Sequence, residues 1–280
     1  MKQNNYNLKP IYVFDPNKPM HIAAFVSGGG GNLQAELDVQ KRFPDLVSVD
    51  LVIADRLGTV AIEIAKKNGI MYIEKDFEAK CGVWRDVKGD KKASQKYIES
   101  SIQFHNEILE EIIEFEERFN KIDLAVLSYR RWIHGKLLDY FKDRMINQHA
   151  GDLTIFNNDG SRKYIGINPV YDALRKGERY TRTSTFLVND DHDAGEILSQ
   201  GPKVFFYDKE INKEIAYKHE LKQKEFSDWP SIKFAIKEIS LGNYSIAKNM
   251  FHRDGSRVLF YKNEMLPYGG IELDQGDIVF

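Results

Sequence analysis

The run "HIAAFVSG", beginning at His21, is apolar without alternation, and a strand of that kind has to be buried on both faces. It ends in four glycines, 28–31, and "NLQAELDVQKRF" follows with helical spacing. The order then repeats. "SVDLVIAD" reads as a strand, "VAIEIAKKNG" as a helix stopped by Gly69, and "IMYIEKD" as a strand. Residues 93–119 read as one long amphipathic helix, with Ile98, Ile102, Ile108, Ile112 and Phe115 at helical spacing. "IDLAVLSY", "KLLDYFKDR" and "MINQHA" continue the alternation. Strands separated by helices in this order imply an α/β, Rossmann-like fold: a mostly parallel sheet with helices on both faces.

After Ala150 the rhythm loosens. "GDLTIFNNDGSRKY" is a loop rich in turn residues, "PVYDALRKG" a helix with Pro at its first position, and "TRTSTFLVND" a strand. Helices are expected near 209–225 and 230–241, and a hairpin around Asp254-Gly255. "DGSR" occurs at 159 and again at 254, which shared turn chemistry explains better than an internal repeat. The reading is one domain, 21–280, preceded by an extension, 1–20, with insertions near 77–92 and 151–164.

Composition narrows the partners. A formal net charge of −2 gives no electrostatic footprint for nucleic acid or an anionic membrane surface. The single Cys81 excludes an internal disulfide framework and fits a reducing compartment. No apolar run reaches the roughly 18 residues of a membrane helix, and the polar opening "MKQNNYNLKPIYVFDPNKPM" lacks a signal-peptide core. A soluble, cytoplasmic protein acting on small molecules is expected. No metal site is expected either: the histidines are scattered, and His192 beside Asp190, Asp191 and Asp193 reads as a turn cluster.

Two stretches carry chemistry. In "SGGGGNLQ" a glycine turn leads into a helix start, where backbone N–H groups and the helix dipole favour a phosphate; the same glycines also suit a tight connection. A nucleoside triphosphate loop would need Gly-Lys-Ser/Thr, and a dinucleotide loop a glycine where Leu33 stands, although Asp55 roughly supplies the acid expected at the end of the next strand. In "MINQHA", Asn147 and His149 lie two apart on a strand and so share a face. Asp193, in "NDDHDAG", could reach His149 if the two strands are neighbours. Amide, imidazole and carboxylate at the strand ends suit acyl transfer without a covalent intermediate: donors for a forming oxyanion and a route for the proton. Strand capping and turn formation would use the same residues.

Together these segments resemble the glycinamide ribonucleotide formyltransferase family, a folate-dependent group. "SGGGGNLQ" matches the family's Ser-Gly-x-Gly-Ser-Asn-Leu-Gln with Gly31 for the second Ser, "NQH" matches Asn-x-His, and Asp193-Ala194-Gly195 matches Asp-x-Gly. Glu225 precedes Pro230 as the family's Glu does, and "LPYGG" resembles its ending. The resemblance runs from about residue 21 to 271. It implies a formyltransferase-type fold and transfer of formyl from 10-formyltetrahydrofolate, a cosubstrate, to the amine of glycinamide ribonucleotide in purine biosynthesis. It further implies that Gly30, Gly31 and Asn32 hold the phosphate and Glu225 the ribose. Asn147 and His149 would stabilise the oxyanion, with His149 donating a proton and Asp193 raising its pKa. The folate-contacting segment corresponds to "YRRWI": Arg130, Arg131, Trp132 and Ile133, with Asn147 beside them.

There are departures. Pro-Ser-Leu-Leu-Pro after the family's His is replaced here by a longer loop, Asn168 stands where a His is usual, and Arg130 replaces a Met. The extension has no counterpart and is available to cover an edge or to mediate homo-oligomerisation. Another phosphorylated or sugar amine is therefore an alternative acceptor, and a non-catalytic folate- or nucleotide-binding protein a second alternative.

Overall fold

The computed structural model describes residues 6–208 and 210–277. After a short strand β1 (Leu8–Pro10), the chain enters β2 (Met20–Val26), buried at all seven positions. It takes the central place that such a run requires. On one side lie β3 (Val47–Ala54) and then β4 (Met71–Glu74), on the other β5 (Leu124–Ser128) and then β6 (Met145–His149), all paired in parallel. A separate two-stranded ribbon holds β7 (Tyr180–Thr181), while β8 (Ser184–Leu187) and β9 (Ile197–Gln200) extend the main sheet, β8 antiparallel to β6 and β9 antiparallel to β8. The ribbon's other strand is β10 (Val204–Phe205).

The end of the chain builds a second sheet. Strand β11 (Tyr244–Phe251) turns through Asp254-Gly255 into β12 (Arg257–Tyr261), which pairs with β13 (Glu264–Met265). β1 joins β11 antiparallel, so the stretch read as an extension supplies an edge strand. Finally β14 (Ile271–Glu272) returns to the main sheet beside β9, giving the order β14-β9-β8-β6-β5-β2-β3-β4.

Alternate residues of the strands face two apolar layers. Ile22, Ala24, Val126 and Ile146 meet α1 (Gly31–Arg42), α2 (Val60–Lys67) and the late helix described below. Phe25, Ala125, Leu127 and Met145 face the other layer. There the segment read as an insertion near 77–92 forms two short helices, α3 (Phe77–Cys81) and α4 (Trp84–Val87), ahead of α5 (Lys91–Arg118). Asp76 caps α3, and Asp90 caps α5 by accepting from the N–H groups of Lys92 and Ala93, which sets the long helix's start two residues earlier than the apolar spacing alone. α6 (Lys136–Tyr140) and α7 (Pro169–Arg175) are short. α8 (Lys213–Gln223) begins later than expected because Asn212 caps it, accepting from Ile215 N–H. A π-helical turn, Lys224–Asp228, then leads into α9 (Trp229–Ser240), which packs on α1.

The two DGSR turns share their chemistry, as expected. Asp159 accepts the N–H and hydroxyl of Ser161 at 2.9 and 2.6 Å, and Asp254 those of Ser256 at 3.1 and 2.6 Å.

Candidate active site

β6 ends at the carboxyl edge of the sheet, the place where open α/β sheets hold ligands. Asn147 and His149 share the face of Met145, and Gln148 points to the opposite one. The Asn147 Oδ1 accepts the Gln148 N–H at 2.9 Å, and its NH2 end makes no hydrogen bond among the described residues. His149 is buried, and its Nε2 lies 2.6 Å from the Tyr164 carbonyl oxygen. A carbonyl only accepts, so Nε2 carries a hydrogen and Nδ1 is the nitrogen that can take up or release a proton. Nδ1 is 3.4 Å from the Asp193 Oδ2.

That carboxylate is crowded. Its Oδ2 also meets the His192 Nδ1 at 2.9 Å and accepts the Gly166 N–H at 3.3 Å. Burial lifts the Asp193 pKa, but the His192 bond, the charges of His149 and His192 and the Gly166 N–H outweigh it, leaving the group below its ordinary value. His192 is held above its ordinary value by its bond to Asp193, with burial opposing. The Asp-Asp-His-Asp cluster thus has a specific member: His192 is a ligand of the carboxylate that faces His149.

Tyr164 reaches His149 because the loop after β6 folds back. Near its start Asp152 accepts from Arg182 Nε and Gln200 Nε2, both at 2.7 Å, and the Leu153 N–H donates to Ser184 Oγ at 3.1 Å. Near its end Arg162 is buried against the Asp193 turn. Asn168 is exposed at the start of α7.

The glycine loop lies on the other side of β6. At Gly28 and Gly29 a side chain would meet nothing within 4 Å, and Gly30 precedes α1 with φ 72° and no side-chain cap. The first N–H groups of α1 therefore have no cap of their own, as an anion site requires. A Cβ at Gly31, where the resemblance has serine, would lie 3.3 Å from the Trp229 ring, a tight contact that the ring would have to relieve. Asn32 spends its side chain on Gln148, donating to Oε1 at 2.7 Å, and Gln148 donates in turn to the Asp228 carbonyl at 2.6 Å. One glutamine so ties the loop to β6 and to the π turn. Glu225 is exposed on that turn, whereas Asp228 is buried and bonded by the Thr183 hydroxyl.

The segment "YRRWI" divides. Arg130 is exposed, and its N–H donates to Ser27 Oγ at 2.8 Å. Arg131 bonds the fully buried Asp55 through Nε and Glu78 through Nη2 at 2.9 Å, and lies 4.5 Å from the Phe77 ring centre. These three groups hold its guanidinium in place. Ile133 is 2% exposed and packs in the apolar layer that includes Phe25 and Leu127. Trp132 is 49% exposed, with its ring 4.4 Å from His134 and 5.4 Å from His192. Trp132, His192, Asp193 and His149 form a continuous line.

A match to the formyl transferase family covers residues 20–220. The chain belongs to the formyl transferase family. Within it, the chain is 24% identical to the phosphoribosylglycinamide formyltransferase of Haemophilus influenzae, over 84% of this chain and 93% of that protein. It is 29% identical to the methionyl-tRNA formyltransferase of Finegoldia magna over 90 residues, 32% of this chain and only 26% of that relative's length. The solved phosphoribosylglycinamide formyltransferase of Coxiella burnetii has the same fold, with TM-score 0.65 and 18% identity over 91% of this chain and all of that one. Among the described residues of this formyl transferase, no group of three His, Cys, Asp or Glu side chains is placed to hold a metal, and no helix is long and apolar enough to cross a membrane.

Sequence reasoning missed Gln148, Arg162, Tyr164 and His192. A backbone carbonyl leaves no mark in a sequence, but the repeated DGSR marked Arg162.

Proposed function

We propose that the chain transfers the formyl group of 10-formyltetrahydrofolate to the amine of glycinamide ribonucleotide. The observation that carries this reading is the assembly of the Asn147 amide, the His149 ring and the Asp193 carboxylate at one strand end, with an open glycine loop on the opposite face. The acceptor amine attacks the formyl carbon, a C–N bond forms, and the bond to N10 of the folate breaks. The Asn147 NH2 stabilises the oxyanion. His149, through Nδ1 and backed by Asp193, takes the amine's proton and returns it to N10. The phosphate sits on the N–H groups at Gly30, Gly31 and Asn32, the ribose within reach of Glu225, and the folate along Trp132 with Arg130 at its charged end. The relative from Haemophilus influenzae supports the choice of acceptor.

The loop carrying Arg162 and Tyr164 favours one second reading, the same chemistry on a different phosphorylated amine. A steady-state assay with 10-formyltetrahydrofolate and glycinamide ribonucleotide separates the two. Turnover of about 1–1,000 per second supports the first. Absent turnover with folate still bound favours the second.

A further inference from the structure

The two DGSR turns close on the same four residues. From the first, Arg162 donates through Nη1 to the Asp193 carbonyl at 2.6 Å and through Nη2 to the Gly195 carbonyl at 2.9 Å. From the second, Arg257 donates to the Glu196 carboxylate through its backbone N–H at 3.0 Å and its Nε at 2.7 Å. The turns also touch each other. Arg162 Nη2 lies 3.4 Å from Asp254 Oδ2, and Arg162 Nε donates at 2.8 Å to the Tyr268 hydroxyl, which itself bonds Asp254. Arg257 reaches on to Asp143 at 2.6 Å, where Lys9 of β1 also lands at 2.8 Å. The segment 193–196 is thereby fastened to the body of the protein from two sides.

We propose that Arg162 is a positioning residue for the reaction, holding the backbone turn that aims the Asp193 carboxylate at His149. The proposal rests on the Asp193–His149 pair acting in formyl transfer. Asp193 has φ 53°, a left-handed conformation that a non-glycine residue keeps only where its surroundings hold it. Arg162 supplies that hold at the peptide of Asp193 itself. Its planar fork spans the carbonyls two residues apart, a geometry that a lysine ammonium on a flexible stem does not reproduce. The guanidinium is 5% exposed and its charge is met by Asp254, so it is fixed rather than free to reach a ligand. The loop that carries Arg162 also carries Tyr164, whose carbonyl holds the other side of the His149 ring. One insertion therefore orients both members of the pair.

The test uses Arg162→Met, Arg162→Lys and the milder Asp254→Asn, which keeps the guanidinium and removes its countercharge. The first readout needs no substrate: titration of the Asp193 carboxyl carbon by 13C NMR in the ligand-free protein. In Arg162→Met its midpoint is expected to rise toward the ordinary carboxylate value as His149 and His192 lose their register with it. The second readout is kinetic. The kcat falls about 10- to 100-fold, as expected for misplacement of a catalytic group by an ångström, while the KM for folate stays within about threefold. Lysine recovers only part of the loss, and Asp254→Asn moves both readouts in the same direction by less. Should Arg162→Met fail to fold, Asp254→Asn decides alone. An unmoved Asp193 midpoint overturns the proposal, even if kcat falls in step with thermal stability, and so does a moved midpoint with unchanged kcat. If the native protein shows no turnover with glycinamide ribonucleotide, the proposed function falls separately, and the Asp193 midpoint alone decides the clamp.

Discussion

His149 Nε2 donates to the carbonyl of Tyr164 at 2.6 Å, across fifteen residues of chain, while Nδ1 faces Asp193 at 3.4 Å. Both ring nitrogens are engaged before any ligand arrives. Of the three groups, the Asn147 NH2 is the donor without a protein partner among the described residues. In the proposed mechanism the amide accordingly meets the oxyanion, and the ring moves the proton through Nδ1.

Asn147→Ala should therefore lower kcat by about 100- to 1,000-fold, the usual loss for one oxyanion donor, with folate affinity largely kept. His149→Ala should cost at least as much and flatten the pH–rate profile on its acidic side. Stopped-flow or steady-state rates beside calorimetric folate binding check both. Rates within threefold of native for Asn147→Ala would sink the assignment.

Arg131 and Trp132 are adjacent and should behave oppositely. Arg131→Met leaves Asp55 with a buried, uncompensated charge, since its Oδ1 already lacks a partner among the described residues. Breaking such a pair costs about 3–5 kcal/mol, read as a drop in the urea midpoint, while the folate KM should move little. A large KM change with unaltered stability would return Arg131 to the ligand.

For Trp132→Ala the expected pattern is the reverse. Half of the side chain is exposed and its contacts are the rings of His134 and His192. Loss of its apolar surface should weaken folate binding by roughly tenfold and leave stability within about 0.5 kcal/mol. Unchanged affinity would show that the folate lies elsewhere.

These residues also show what a sequence can and cannot disclose. The parallel strands were legible because β2, β5 and the second half of β3, from Leu51, are buried on both faces and so are apolar with little interruption. Asn147 and His149 were legible because a strand's period of two is rigid. Asp193 could be nominated, but only the antiparallel pairing of β6 with β8 brings its turn alongside. The partner of Arg131 was not legible: Asp55 lies 76 residues away at the end of β3, and that juxtaposition exists only in the folded sheet. The contact of Tyr164 with His149 is made by a carbonyl that every residue possesses. β1 was read as an unplaced extension because its three residues have little pattern apart from their pairing with β11.

Asp228 should leave a trace in the pH dependence of stability. Burial is the largest influence on it and raises its pKa to about 6, against the Thr183 hydrogen bond that lowers it. Between about 4, where the unfolded carboxyl titrates, and about 6 the native state binds more protons, so stability falls as pH rises. His105 acts oppositely in the same window: burial lowers it to about 4, the unfolded state binds more protons, and stability rises with pH. The slopes offset each other in the native protein, and only the difference from Asp228→Asn isolates the first. Relative to native, the variant should gain up to about 3 kcal/mol between pH 4 and 6 and level off above. Urea unfolding at four pH values measures it, and a pH-independent difference would refute the role of Asp228.

Glu36 offers a stabilising change. It lies on α1 at 0% exposure, with Leu33, Ala35, Leu37 and Val39 also buried on that helix, and neither carboxyl oxygen has a partner among the described residues. Burial pushes its pKa well above the ordinary value. Its folded pKa exceeds the unfolded one, so whatever it contributes is present below about pH 4.5 and is lost as pH rises through the folded value. Even uncharged, a buried carboxyl without a hydrogen bond costs about 1–3 kcal/mol. Leucine is of similar size, favours helix and carries no polar atom. Glu36→Leu should raise stability by about 1–3 kcal/mol near pH 4 and by more as pH rises through the folded value, whereas Glu36→Gln, still polar and unpartnered, should gain less. Among the described residues its carboxyl makes no hydrogen bond to His149 or the glycine loop, so kcat should hold. A lower urea midpoint for the leucine variant would mean that the carboxyl has a partner in solution and that its burial is compensated.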